Sequence, residues 1–280
     1  LIGHGPGGYF RLDDTTAEAS FLGVEPGFVP DLMTYDFEAG TLYAITDQTG
    51  TPTLHMVDLC TRTHTPVGPV FTVDGDDMEV PIRVVEGLTW RRSDGRLWVA
   101  GDTRDGATSA QLGTLDPATA EMTVVATNPS PGDIDHLMWS NDDRLYGTDA
   151  PEGTVELYDL DPDTGRATGI GPFSPEPRRA LFAQHPDTDN VALIELDGPP
   201  AELASLTLDD ASWSPVGTVE AQQLLDDVYL DAECPAFPEP STYWTFDSAD
   251  ISGLTVSDVV GDADADFVGA TSVPTVEGQV

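Results

Sequence analysis

The sequence has 280 residues, 50 of them acidic and 11 basic, for a formal net charge of −39 at pH 7. All the basic residues are Arg; this balance excludes a nucleic-acid binder that neutralises phosphates and opposes docking on an anionic membrane. At 39% hydrophobic the composition is not that of a disordered chain, and no run approaches the roughly 18 uncharged apolar residues of a membrane span.

Taken in order, the chain starts at Leu1 rather than Met, which reads as a processed or trimmed protein. Leu1-Ile2-Gly3, Tyr9-Phe10-Arg11-Leu12-Asp13 and Ala19-Ser20-Phe21-Leu22 predict three short strands. A unit of strand, Gly- or Asp-bearing turn, strand, polar loop, strand and strand then recurs. Its second strand reads Leu42-Tyr43-Ala44, Leu97-Trp98-Val99, Leu145-Tyr146-Gly147 and Val191-Ala192-Leu193, at spacings of 55, 48 and 46 residues. The third strand ends in Val57-Asp58, Leu115-Asp116, Leu160-Asp161 and Leu208-Asp209. A fourth follows at Thr65-Pro66-Val67, Met122-Thr123-Val124, Ala167-Thr168-Gly169-Ile170 and Trp213-Ser214-Pro215-Val216. The three opening strands match a copy that lacks its first strand, and Asp227-Val228-Tyr229-Leu230 supplies one. The expectation is an all-β, five-bladed β-propeller over residues 1–234, closed by strands from both chain ends in one shared blade.

With Asp116-Pro117-Ala118-Thr119 and Asp161-Pro162-Asp163-Thr164-Gly165 between strands, residues 1–234 resemble the secreted NHL and WD-repeat-like β-propeller proteins. That resemblance implies a fold and is nearly silent on function. Residues 235–240, with Pro235, Pro238 and Pro240, read as a linker. Beyond them, Tyr243-Trp244-Thr245-Phe246-Asp247 resembles the opening of a laminin-G or concanavalin-like jelly roll. The remaining runs are Leu254-Thr255-Val256, Val259-Val260 and Phe267-Val268. Forty residues are too few to close such a sandwich. Residues 241–280 are therefore expected to continue downstream, to add a strand to another copy in a homo-assembly, or to pack on their own propeller.

The aspartates that end the third strands (Asp13, Asp58, Asp116, Asp161, Asp209) and follow the second (Asp47, Asp102, Asp149, Asp197) suit turns, where a carboxylate accepts backbone N–H groups two residues on. A different set precedes the first strands, at the mouth of the expected channel: Asp31, Glu86, Asp135 with His136, Arg178 with Arg179, and Asp226 with Asp227. Carboxylates converging there must be protonated, paired with Arg or bound to a cation. Asp31, Glu86, Asp135 and Asp226 would suit Ca²⁺, whereas Arg178 and Arg179 could neutralise the ring without one. The five histidines, His4, His55, His64, His136 and His185, fall in different repeats and show no metal-ligand spacing. Trp90, Trp98, Trp139 and Trp213 sit at apolar strand positions and are expected in the core. Cys60 and Cys234 are expected to form a disulfide near the closure.

The acidity fits either the solubility of a secreted protein or a salt- or calcium-rich setting, and both place the protein outside the cytoplasm, secreted or on the cell surface. Two functions follow. One is a non-catalytic binding, adhesion or assembly module whose partner is a protein or glycan. The alternative is a Ca-dependent, glycan-active hydrolase or lyase using the acidic channel mouth. The binding module is favoured, because no acid–base pair announces itself.

Overall fold

The computed structural model describes residues 2–5, 8–23, 28–36, 38–59, 61, 63–102, 110–127, 134–149, 154–174, 180–184, 191–195, 201–219, 226–228, 251–252, 255–257 and 264–266. The chain divides into two compact units, Leu1–Ala232 and Glu233–Val280. All helical or strand structure among the described residues is β-strand.

The first unit begins with an antiparallel meander of β1 (Ile2–Gly5), β2 (Gly8–Leu12) and β3 (Ala19–Gly23). A four-stranded sheet follows, formed by β4 (Leu32–Asp36), β5 (Thr41–Thr46), β6 (Thr53–Asp58) and β7 (Thr63–Pro69). A hairpin of β8 (Phe71–Val73) and β9 (Glu79–Pro81) precedes β10 (Val84–Arg91), β11 (Arg96–Asp102), β12 (Ala110–Leu115) and β13 (Glu121–Thr127). The hairpin joins their sheet, because β8 runs parallel to β13 with Phe71 beside Glu121. The next sheet is β14 (His136–Trp139), β15 (Leu145–Asp149), β16 (Glu156–Leu160) and β17 (Ala167–Pro172). After it come β18 (Ala180–Gln184), β19 (Val191–Glu195), β20 (Ala201–Thr207) and β21 (Ser212–Val219). Last, β22 (Asp226–Val228) pairs antiparallel with β1, Val228 opposite Ile2 and Asp226 opposite His4. The first strands then neighbour one another in turn: β4 lies against β10, β10 against β14, β14 against β18, β18 against β22, and β22 against β4.

The apolar runs of the second strands are continuous because both faces of each sheet are covered. Along β11, Leu97 and Val99 pack with Tyr43, Ile45 and Leu54 of the preceding sheet. Trp98 and Ala100, pointing the other way, pack with Leu137, Trp139 and Leu145 of the following one. A third core of the same kind joins Tyr146 and Leu157 to Ala204 and Leu206. Trp90, Trp98 and Trp139 are buried in these layers, as the sequence leads one to expect, while Trp213 is half-buried. Close approach between sheets calls for small residues: a Cβ on Gly87 would lie 2.8 Å from Leu137 Cγ.

The fourth strand of each repeat, β3, β7, β13, β17 and β21, carries the same irregularity. Leu22, Val67, Val125, Ile170 and Val216 are each skipped in the pairing, as extra residues of a β-bulge. Glycine follows the bulge in four of the five, at Gly23, Gly68, Gly171 and Gly217. Pro66, Pro69, Pro172 and Pro215 also interrupt these edges. Bulges and prolines blunt an edge against pairing with other chains.

In the second unit, β23 (Ile251–Ser252), β24 (Thr255–Ser257) and β25 (Asp264–Asp266) form a three-stranded antiparallel sheet. Of the runs expected beyond the linker, Thr255-Val256 lies in β24, whereas Tyr243–Phe246, Val259-Val260 and Phe267-Val268 lie outside the described residues. Cys60 and Cys234, and with them the expected disulfide, also lie outside them.

One buried hydrogen bond joins two sheets: the Trp139 N–H donates to Thr89 Oγ1 at 3.1 Å. Thr89→Val keeps the shape and strands that N–H, so it should cost about 1–3 kcal/mol. Thr89→Ser should cost less, because the acceptor survives. Chemical denaturation of the three proteins measures both differences, and equal losses would show that the hydroxyl contributes nothing.

Candidate functional site

The expected channel-mouth residues can be placed by strand register. Ile45, Ala100 and Thr148 are the fourth residues of the runs in the second strands that begin with Leu42, Leu97 and Leu145. Their partners are Leu32, Gly87 and His136. The residues one step earlier, Asp31, Glu86 and Asp135, are thus structurally equivalent. The Asp31 and Asp135 N–H groups both donate to the carbonyl of that fourth residue, at 2.8 Å. Glu86 instead sits in a bulge of β10, skipped between Val85 and Gly87.

The other two sheets depart from this frame. Ile194 pairs with Leu181, so the position equivalent to Asp31 falls to Ala180. Arg179 and Arg178 come one and two residues earlier and lie outside the described residues. His4 pairs with Asp226, which therefore takes the place of Leu32, and Asp227 takes that of Met33. The register brings Asp31, Glu86 and Asp135 to one level of the sheets and sets Asp226 and Asp227 one and two residues further in.

Asp31 has work within the fold. Its Oδ2 accepts the Gln48 N–H at 3.0 Å, and the Gln48 carbonyl accepts the Val85 N–H at 2.9 Å. The carboxylate thereby fixes the turn that reaches from the β5 end to β10 in the next sheet. Asp135 is exposed, and Glu86 and His136 are half-buried. Among the described residues, no three His, Cys, Asp or Glu side chains gather where they could hold a metal ion.

Two of the histidines, expected in separate repeats, share one sheet. Val57 pairs with His64 and His55 with Pro66, so the two imidazoles are diagonal neighbours on β6 and β7. Their ring centroids are 5.3 Å apart, and Phe28 stacks on His64 at 4.3 Å and meets His55 edge-on at 5.1 Å. His55 Nε2 and Thr46 Oγ1 are 3.0 Å apart. Nothing in the spacing of His55 and His64 revealed this, since diagonal pairing depends on the turn between the strands.

Many remaining carboxylates serve turns. Asp13 Oδ1 accepts the Thr15 and Thr16 N–H groups and the Thr15 hydroxyl at 2.6–2.9 Å. Asp58, Asp116 and Asp161 each accept one N–H two or three residues on, and Asp47 that of Thr51. In the fourth repeat Asp210 takes this role, through the Ser212 N–H and hydroxyl, where Asp209 was expected. The turns close on residues with left-handed backbone, Ala17 (φ 62°), Ala120 (φ 61°) and Gly165 (φ 66°), whose N–H groups donate to the Asp13, Asp116 and Asp161 carbonyls. Both alanines are buried. Their methyl groups fill core space that a glycine would leave open, which offsets the backbone strain.

One ion-pair cluster crosses a seam. Arg91, at the end of β10, donates to both Asp143 oxygens at 2.9 and 2.7 Å and lies over the Trp139 ring at 4.3 Å. Asp94 adds a second carboxylate at 3.2 Å, and Ser93 donates its hydroxyl to Asp143. The Arg91 bonds hold the Asp143 carboxyl below its ordinary range, despite opposing desolvation.

No family model and no curated protein matches the sequence. Solved structures do match the fold. One chain of a nidogen/laminin complex superposes with a TM-score of 0.51 at 14% identity, covering 80% of this chain and 95% of that one. TolB from Acinetobacter baumannii gives 0.45 at 13% identity, covering 78% of this chain, which spans only 52% of TolB. A protein of unknown function from Bacteroides thetaiotaomicron gives 0.47 at 13% identity, covering 79% of this chain and 60% of that one. At such identities the likeness concerns the fold alone. The chain has an all-β, β-propeller-like fold. Among the described residues, no helix is long and apolar enough to cross a membrane.

The turn carboxylates give the fold a defined acid response. The Asp13 carboxyl is lowered from 3.8 to about 2, first by the Thr15 hydroxyl and then by the Thr15 and Thr16 N–H groups. The folded state favours the ionised form, so the contribution is complete above the ordinary value and is lost as pH falls through about 2. Asp13→Asn should therefore lower Tm at pH 7 and lose that effect near pH 2. Melting curves at the two pH values test this; a difference that persists at the lower pH would assign the loss to packing.

Proposed function

We propose that Leu1–Ala232 is a five-bladed propeller closed by β22 and β1, and that it serves as a non-catalytic protein-binding module of a secreted or surface protein. The observation that carries the closure is the cycle of first strands, in which β22 lies against both β18 and β4 and pairs with β1. Removing β22 would leave β1 with a bare edge inside the ring. Deleting residues 226–232 should cause aggregation or a large fall in Tm, read by light scattering and calorimetry. A truncated chain that stays monomeric with unchanged melting would mean that the ring does not depend on this strand.

The binding reading is supported by where the acids go. Asp31, a member of the expected acidic mouth, uses its carboxylate to accept the Gln48 N–H, and the turn aspartates are likewise engaged by backbone. An acid–base catalyst would need a carboxylate aimed at open space with a proton-transfer partner. The TM-score with a chain from a nidogen/laminin complex supports a scaffold compatible with protein partners. Incubation with a panel of polysaccharides and glycosides, with product analysis by mass spectrometry, should show no turnover with or without added Ca²⁺. Cleavage that depends on Ca²⁺ and is lost in Glu86→Gln or Asp135→Asn would overturn the binding module and restore a cation-dependent enzyme.

A further inference from the structure

The spacing of 55 residues between the first two repeats exceeds the later 48 and 46, and the structure locates the excess. After β7, the Val70 N–H donates to the Pro52 carbonyl, as the Phe173 N–H donates to that of Val155 after β17. Phe71 N–H then donates to Ala120 of the next sheet, as Ser174 N–H donates to Ala211. The two connections are equivalent to this point. Residues 72–81 then leave as the β8–β9 hairpin and return at Ile82, whose N–H donates to the Val70 carbonyl at 3.0 Å. The hairpin is an addition hung on an otherwise regular repeat.

It buries little of itself. Val73, Asp74, Gly75, Asp76, Asp77, Met78, Glu79 and Pro81 are all exposed. Among the described residues the exposed large apolar side chains are Val29, Met56, Val73, Met78 and Val125, and three of these belong to this one sheet. Met78 is the most exposed of all, at 63%. The parallel register that sets Thr72 beside Met122 puts Val125 just past the end of β8, on the strand adjoining Val73. Val67, Ile170 and Val216, which occupy the bulge position of Val125 in other sheets, are half-buried. Met78 is held in place: Asp74 Oδ1 accepts the Asp76 and Met78 N–H groups at 2.9 and 3.0 Å, and the Asp74 N–H donates to the Met78 carbonyl at 3.0 Å. Asp74, Asp76, Asp77 and Glu79 flank Val73 and Met78 along the hairpin, Glu121 lies beside Phe71 on β13, and no basic residue lies between Arg62 and Arg83 in the sequence.

From this juxtaposition we propose that the β8–β9 hairpin, with Val125 beside it, is the module's docking surface, and that its occupant is a basic protein segment offering an apolar pocket to Met78. The inference rests on the binding-module reading and names its surface. Apolar anchors ringed by charge are the arrangement of a specific interface, and a pre-ordered anchor avoids the entropy cost of binding. The acidic rim selects a cationic partner and repels a second copy of this acidic chain. Strand addition on β9 is not the mode, because Pro81 interrupts its short outer edge.

The test pans a display library of short peptides on the immobilised full chain at roughly 150 mM NaCl, where non-specific charge attraction is screened. The enriched peptides should combine Arg or Lys with apolar residues. Met78→Ser should weaken their binding about tenfold or more, whereas Met56→Ser, at the other exposed methionine, should leave it unchanged. Methyl NMR of the wild-type chain, which has five methionines, should show the peptide moving the Met78 signal and sparing Met33, Met56, Met122 and Met138. Peptides that bind equally well to Met78→Ser, and to a chain with Phe71 joined directly to Ile82, would overturn the surface and leave the binding module standing. A library that yields no binder to the folded chain would overturn both.

Discussion

Each sheet of Leu1–Ala232 is too small to own a core, so it must share one on each side. Leu97 and Val99 of β11 belong to the layer shared with the preceding sheet, while Trp98 and Ala100 belong to the layer shared with the next. The period-two alternation of a single strand thus couples three sheets, and the stability of one is conditional on its neighbours. The polar bonds follow the same plan. Trp139 N–H to Thr89, Val85 N–H to Gln48 and Arg91 to Asp143 all run between sheets, next to the apolar layers they seal.

That coupling explains what could be read in advance. A strand buried on both faces must be apolar throughout, so Leu42-Tyr43-Ala44, Leu97-Trp98-Val99 and Leu145-Tyr146-Gly147 stood out and lie in β5, β11 and β15. The Asp-Pro-x-Thr turns were legible because short polar side chains have few other ways to satisfy a tight reversal. The acidic mouth was legible only in part. Asp31, Glu86 and Asp135 precede apolar strands that mark their frame, whereas Arg178-Arg179-Ala180 and Asp226-Asp227 give no such mark, and only the pairing of Leu181 with Ile194 and of Asp226 with His4 sets the count. The hairpin went unseen because its strands are three residues each, too short for a period to declare itself. The meeting of His55 with His64 depends on a cross-strand diagonal, which no linear spacing encodes.

The edges and the acidity act in the same direction. A bulge in the fourth strand of each repeat, with prolines in most, opposes pairing with passing chains, and the charge of −39 makes copies repel. Arg is used where a fork is needed. Arg91 grips both oxygens of Asp143 while its plane lies over Trp139, a combination that the point charge of Lys would not reproduce. The exposed apolar residues of the β8–β13 sheet stand out against this background because so much else on the surface discourages contact.

The pairing of β1 with β22 also imposes a schedule on synthesis. Ile2 meets Val228, so β1 leaves the ribosome long before its partner β22 has been made. At roughly 5–20 residues per second, some 10–45 s pass between the emergence of one and the other. For that interval β1, β2 and β3 form an unfinished sheet whose inner edge is open and whose neighbour, the β4–β7 sheet, has already been made. The chain reaches its native state by waiting. A chaperone that shields β1 during the delay would raise the yield of folded protein without touching its final stability.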